Sequence, residues 1–111
     1  MDKKIQNELD LIQKSVLSVV PAEAIYLFGS YAYGILGEDS DLDIYVVVPD
    51  SVMDLSELHA NIRKNTRYKR TIPMDLLIGR SSVFHHRKNG PTLERVIAQK
   101  GGGALWSLII F

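Results

Sequence analysis

The run Asp41-Leu42-Asp43-Ile44-Tyr45-Val46-Val47-Val48, closed by Pro49, constrains this chain more than any other segment. Its β-branched and aromatic residues predict a strand, and proline is a fitting stop. Side chains two apart in a strand share a face. Asp41 and Asp43 therefore point one way, and Leu42, Ile44, Val46 and Val48 the other. Such a strand needs neighbours, and two are legible. Ala24–Phe28 is a short run of β-formers bounded by Pro21 and Gly29, and residues 72–78 form another, with Pro73 near its start.

The remaining segments read as helices. Ile5, Leu9, Ile12, Val16 and Val19 or Val20 recur at helical spacing and form one apolar stripe that ends at Pro21. Leu55, Leu58 and Ile62 give a second helix to about Lys64, preceded by two candidate capping boxes that begin at Ser51 and Asp54. Tyr31-Ala32-Tyr33 is read as one or two helical turns, and 34–40 as loop. Ser81 or Ser82 caps a short helix to Asn89. Gly90-Pro91 opens a last helix, with Leu93, Val96 and Ile97 expected on its buried face and Gly101 at its stop. Residues 104–111 are apolar and β-prone. The order α-β-α-β-α-β-α-α-β predicts an α+β fold, one small mixed sheet with helices packed on it.

One hundred and eleven residues suit a single domain, 1–111, with a core at about 22–80 and C-terminal helices and a strand at 81–111. At 46% hydrophobic residues the chain can build a real core. The absence of cysteine excludes disulfides, zinc–thiolate sites and thiol catalysis. The first eight residues lack the apolar centre of a signal peptide, and no apolar run approaches the roughly 20 residues of a membrane span. A cytoplasmic protein without membrane association is expected. Thirteen basic residues balance thirteen acidic ones, which gives no support to a general nucleic-acid-coating role.

That balance hides an asymmetry. No Lys or Arg lies between Lys14 and Arg63, a stretch that holds eight acids. Two carboxylates about 6.6 Å apart along a strand repel by roughly 2.5 kcal/mol at an effective dielectric of about 20. A third acid, Asp75, interrupts the apolar strand Met74-Asp75-Leu76-Leu77-Ile78, where a lone carboxylate is expensive to bury. If the three meet, a cation from outside is the natural compensation, and hard carboxylate oxygens suit Mg²⁺. Gly29-Ser30, directly after a strand, offers a close backbone approach, an N–H and a hydroxyl, which is an anion site suited to phosphates. Metal-binding acids beside a phosphate cradle point to phosphoryl or nucleotidyl transfer.

Each element has a plainer reading. Gly-Ser is a common turn, Asp-x-Asp is often a solvated strand end, and Asp75 could guard an edge strand. Their joint occurrence at this spacing is what favours chemistry. The glycines form no G-x-G-x-x-G, and there is no P-loop and no G-x-S-x-G elbow. His85 and His86 are adjacent and diverge on a helix, and His59 suits a surface or capping role. The segment 63–70, with five bases in eight residues, is read as a solvated loop that could steer a triphosphate or touch a partner.

Gly29-Ser30-Tyr31-Ala32-Tyr33-Gly34, then Ser40-Asp41-Leu42-Asp43-Ile44, then Asp75, resembles the nucleotidyltransferase fold shared with the DNA polymerase beta superfamily, and in particular its minimal, MNT-type members. The resemblance covers about residues 5–106, including Gly103-Ala104-Leu105-Trp106 near the end. It implies that Asp41, Asp43 and Asp75 are catalytic and hold Mg²⁺, two ions with nucleotide bound, with Mn²⁺ as a substitute. It implies that Gly29 and Ser30 bind the triphosphate of ATP or another nucleoside triphosphate. It also implies an enzyme that moves AMP to a protein hydroxyl, acting as antitoxin to a HEPN-family RNase toxin. Apart from the resemblance, a homo-oligomer is compatible with the sequence and no nucleic acid is indicated. Two alternatives stay open. One is transfer to a small molecule such as an aminoglycoside, against which 111 residues leave no second domain to enclose it. The other is a binding-only antitoxin, which the apolar residues Leu105, Trp106 and 108–111 would favour. Residues 107–111 match no ending of the family.

Overall fold

The computed structural model describes residues 3–29, 41–101 and 107–109. Among the described residues, four helices and four strands follow one another as α1 (Lys3–Val19), β1 (Ala24–Phe28), β2 (Leu42–Val48), α2 (Leu55–Thr66), β3 (Met74–Arg80), α3 (Ser81–Arg87), α4 (Leu93–Gly101) and β4 (Ser107–Ile109). The sheet order is β3-β2-β1-β4. β1 runs antiparallel to both β2 and β4, and β2 runs parallel to β3. The sheet is therefore mixed, and the α+β reading holds. The expected turns at 31–33 and loop at 34–40 lie outside the described residues, as do Ser30 and the 103–106 motif.

Alternation along β2 sorts the core into two layers. Leu42, Ile44, Val46 and Val48 face α1 and α2, where they meet Leu9, Ile12, Val16, Leu58 and Ile62. Tyr45 and Val47 face the other way and pack with Ala24, Phe84 and Ile97 beneath α3 and α4. Each fully buried aliphatic side chain contributes about 1.5–3 kcal/mol. Of the two candidate caps for α2, Asp54 is the one used: its carboxylate accepts the Glu57 N–H at 3.0 Å.

Three boundaries differ from expectation for reasons outside the local sequence. β3 begins at Met74, not 72, because the amides of Thr71 and Ile72 donate to Glu8 on α1. It continues to Arg80 because Gly79 leaves room for the Tyr45 hydroxyl, which any Cβ there would strike. On α4 the inward face is Glu94, Ile97 and Ala98, while Leu93 and Val96 are each 40% exposed. The expected Leu93/Val96 face is thus corrected. Glu94 takes the inward position because Tyr45 Oη donates to its Oε2 at 3.0 Å and Arg87 Nε does so at 3.0 Å. The Thr92 hydroxyl accepts the Arg95 N–H at 3.2 Å and caps the first turn, two residues past Gly90. Residues 107–109 are spent as a strand on β1, so this part of the apolar C-terminus serves the sheet. Among the described residues no helix is long and apolar enough to cross a membrane.

Candidate active site

β1, β2 and β3 bring the candidate residues to one end of the sheet. β1 ends there at Phe28 and Gly29, and the parallel strands β2 and β3 begin there. Asp43 is the register partner of Phe28 on one side and of Asp75 on the other. Paired residues of parallel strands project to the same face, and neighbouring strands lie about 4.8 Å apart. Asp43 and Asp75 therefore stand side by side on the α3/α4 face. Burial alternates accordingly: Met74 and Leu76 are buried, whereas Asp75 and Leu77 are exposed. Asp41, exposed, precedes β2 by one residue.

The electrostatics agree with this placement. The Asp43 carboxyl is pushed above the usual carboxylate range, first by burial, then by the charge of Asp75, then by that of Asp41. No cation is among the influences on it. Among the described residues, nothing donates a hydrogen bond to or forms an ion pair with the side-chain carboxylates of Asp41, Asp43 and Asp75. Also among the described residues, no three Asp, Glu or His side chains come together as a group that could hold a metal ion. The acids interact through their charge without forming a finished cage.

Gly29 completes the described part of the site. Its φ of +73° lies in the left-handed region, which L side chains rarely adopt. A Cβ at Gly29 would collide with Asp43 Oδ2 and lie 3.0 Å from its Cγ. The residue after β1 is therefore glycine for two reasons, its backbone angle and the close approach of that backbone to the Asp43 carboxylate. Hard oxygen donors and, among the described residues, unneutralised negative charge fit a divalent cation.

The histidines singled out in the sequence have other contacts. The His59 ring nitrogen Nε2 is 3.0 Å from the Leu76 carbonyl, a capping contact on β3. His85 packs edge-on against Phe84 and stands 3.8 Å from Glu23. The Tyr45–Glu94–Arg87 network escaped sequence reasoning. Burial pushes the Glu94 carboxyl up, but its own backbone N–H, Arg87 and Tyr45 outweigh that, and the net shift is down. Burial first, and the Glu94 carboxylate second, hold the Tyr45 hydroxyl well above its ordinary value. The available signal was a lone Tyr in an aliphatic strand, whose buried hydroxyl needs an acceptor. This network ties α3 and α4 to the sheet face that carries Asp43 and Asp75.

A family model described as a nucleotidyltransferase domain matches residues 9–99. No curated protein matches the chain. Among solved structures, one described as a toxin-antitoxin crystallised with AMP-PNP is 23% identical, covers 85% of this chain and 82% of its own, and superposes with a TM-score of 0.49. A candidate nucleotidyltransferase from Sulfolobus solfataricus is 19% identical, covers 84% and 96% respectively, and gives a TM-score of 0.47.

Proposed function

Because the chain belongs to the nucleotidyltransferase domain family, we propose that it transfers AMP from ATP to a hydroxyl of a partner protein, acting as the antitoxin of a HEPN-family toxin. The observation that carries the site assignment is the shared sheet face of Asp43 and Asp75, in register and beside the left-handed Gly29. In this reading Asp41, Asp43 and Asp75 hold Mg²⁺, with Mn²⁺ as a substitute, and Gly29 with Ser30 cradles the triphosphate. The bound metal supplies neutralisation of the triphosphate and a lowered pKa for the attacking hydroxyl. The acceptor oxygen attacks the α-phosphorus, the bond to the β-phosphate oxygen breaks, and pyrophosphate leaves. Asp75 takes the acceptor's proton. Gly29, lacking a side chain, lets its backbone and the phosphates share the space beside Asp43. The antitoxin role and the HEPN partner rest on the sequence resemblance carried by Gly29-Ser30, Asp41-x-Asp43 and Asp75.

The test is transfer of label from α-labelled ATP with Mg²⁺, offered a co-encoded protein and a panel of aminoglycosides. Label on the protein, lost in Asp41→Asn with Asp43→Asn, supports the proposal. Label on the small molecule replaces the acceptor. Full neutralisation of a toxin by the double variant at equal abundance would show that binding alone is the mechanism.

A further inference from the structure

The last turn of α2 and the turn that follows it, a segment expected to be loop throughout but helical to Thr66, concentrate charge that the fold does not use. Five bases stand between Arg63 and Arg70, and two of them have structural duties. Arg63 donates to the Met74 carbonyl at 3.2 Å. Arg70 donates to the Thr66 hydroxyl at 3.0 Å and to the Ile72 carbonyl at 3.2 Å. Lys64, Arg67 and Lys69 are exposed, and none has a hydrogen-bonding or ion-pairing partner among the described residues. Glu8, the acid facing this turn, accepts three hydrogen bonds from Thr71 and Ile72 on its Oε1.

Tyr68 sits in the middle of these free cations and is 92% exposed. The backbone around it is fixed. Thr66 is fully buried, its carbonyl accepts the N–H groups of Lys69 and Arg70, and its hydroxyl donates to Ile62 and Arg63 carbonyls. A bare aromatic ring held on an anchored turn between Arg67 and Lys69 is a stacking platform with phosphate ligands on either side. Beside it a cleft of about 520 Å³ between α1 and α2 is lined by Ser18, Val19, Asn61, Lys64, Asn65 and Lys69, and its two lysines extend the basic track. The turn enters β3 at the end of the sheet that carries Asp41, Asp43 and Asp75, since the Leu42 N–H donates to the Pro73 carbonyl at 2.8 Å.

From these observations we infer that Lys64, Arg67, Tyr68 and Lys69 form a docking site for single-stranded nucleic acid. The neutral net charge excludes coating along a long polymer. It does not bear on a local cluster, because charges are screened beyond about 8 Å at physiological salt. An acidic peptide would satisfy the three cations but leaves the exposed ring without a partner, whereas an unstacked base uses both. This inference does not depend on the transfer reaction, because binding needs neither Asp43 nor a metal.

The probe is a fluorescein-labelled oligouridylate of twelve nucleotides, titrated with the full chain in chelator and followed by anisotropy between about 50 and 200 mM salt. Wild type binds, and Asp43→Asn binds equally well. Tyr68→Ala weakens binding by about tenfold or more without changing the salt slope, and Tyr68→Phe retains it. Replacing Lys64, Arg67 and Lys69 together by Gln lowers the log–log salt slope by about two, as expected for three phosphate contacts on a single strand. Thermal melting checks that each variant is folded. The inference is overturned if wild type fails to bind at the lower salt. It is also overturned if a folded Tyr68→Ala binds as wild type, if the triple variant keeps the wild-type slope, or if poly-glutamate binds as tightly as the RNA.

Discussion

Glu8 and Asp43 are two carboxylates set into opposite faces of one sheet-and-helix body, and the chain treats them in opposite ways. Glu8 on α1 is 6% exposed, and a single oxygen receives the Thr71 N–H at 2.6 Å, the Thr71 hydroxyl at 2.8 Å and the Ile72 N–H at 2.8 Å. Burial raises its pKa, but these bonds and the charge of Arg70 outweigh burial, and the net shift is down. Asp43 is less buried, yet its shift is up, and two further carboxylates add to the effect of burial. At the first site the chain completes the carboxylate's environment from its own donors. At the second, neighbouring carboxylates reinforce the effect of burial, and among the described residues no cation offsets them. In the proposed function, this difference is that between a carboxylate that serves stability and one that serves chemistry.

The largest effect should come from Asp43→Asn. Transfer activity falls at least about a hundredfold, as expected when a charge-stabilising group is removed from a reacting centre. Stability in urea stays level or rises, because like-charge repulsion is relieved. Glu8→Ala is its mirror image: it leaves two backbone amides without their acceptor and costs roughly 3 kcal/mol in urea unfolding, with the site itself intact. A loss of stability in Asp43→Asn as large as that in Glu8→Ala would erase the contrast.

Gly29→Ala joins the two regimes. A side chain at φ +73° costs about 1–3 kcal/mol, and this one also intrudes on the Asp43 carboxylate. Both melting temperature and transfer should fall, whereas a fully active variant would separate Gly29 from the site.

Acid titration sharpens the comparison further. Glu8 binds its proton less readily when folded than when unfolded. Its contribution to stability is therefore complete above its ordinary value of 4.5 and is lost as pH falls through the lower folded value. Wild type should lose stability relative to Glu8→Gln across that acid window, measured by urea unfolding at a series of pH values. Parallel curves for the two proteins would mean that the Glu8 hydrogen bonds do not discriminate its charge state. The smallest effect belongs to Tyr45→Phe, which deletes one bond to Glu94 while Arg87 remains. A cost of about 1 kcal/mol, with transfer largely retained, is expected.

Much of this was readable from local pattern. β1 coincides with the predicted 24–28, β2 lacks only Asp41 of the predicted 41–48, and the stripe Ile5, Leu9, Ile12, Val16 is the buried face of α1. The pairing of Asp43 with Asp75 was foreseeable because both acids sit at the heads of apolar strands, where alternation dictates the face. What escaped depends on partners far away in sequence. The start of β3 is decided by Glu8, 63 residues before Thr71. The facing of α4 is decided by Tyr45, 49 residues before Glu94. A charged residue at an amphipathic position reads as solvent-facing until its partners are known, so the buried Glu94 was invisible to periodicity. Likewise, five bases within eight residues look alike in sequence. Only the structure separates Arg63 and Arg70, which bind carbonyls, from Lys64, Arg67 and Lys69, which do not.

The central claim is that the sheet end carrying Asp43 is incomplete without a divalent cation. Calorimetric titration of ATP with wild type and with Asp43→Asn, each in Mg²⁺ and in chelator, tests it most directly. The account predicts that wild type binds ATP weakly in chelator and more tightly with Mg²⁺, and that Asp43→Asn loses most of that gain. Equal wild-type affinity with and without the metal would contradict it.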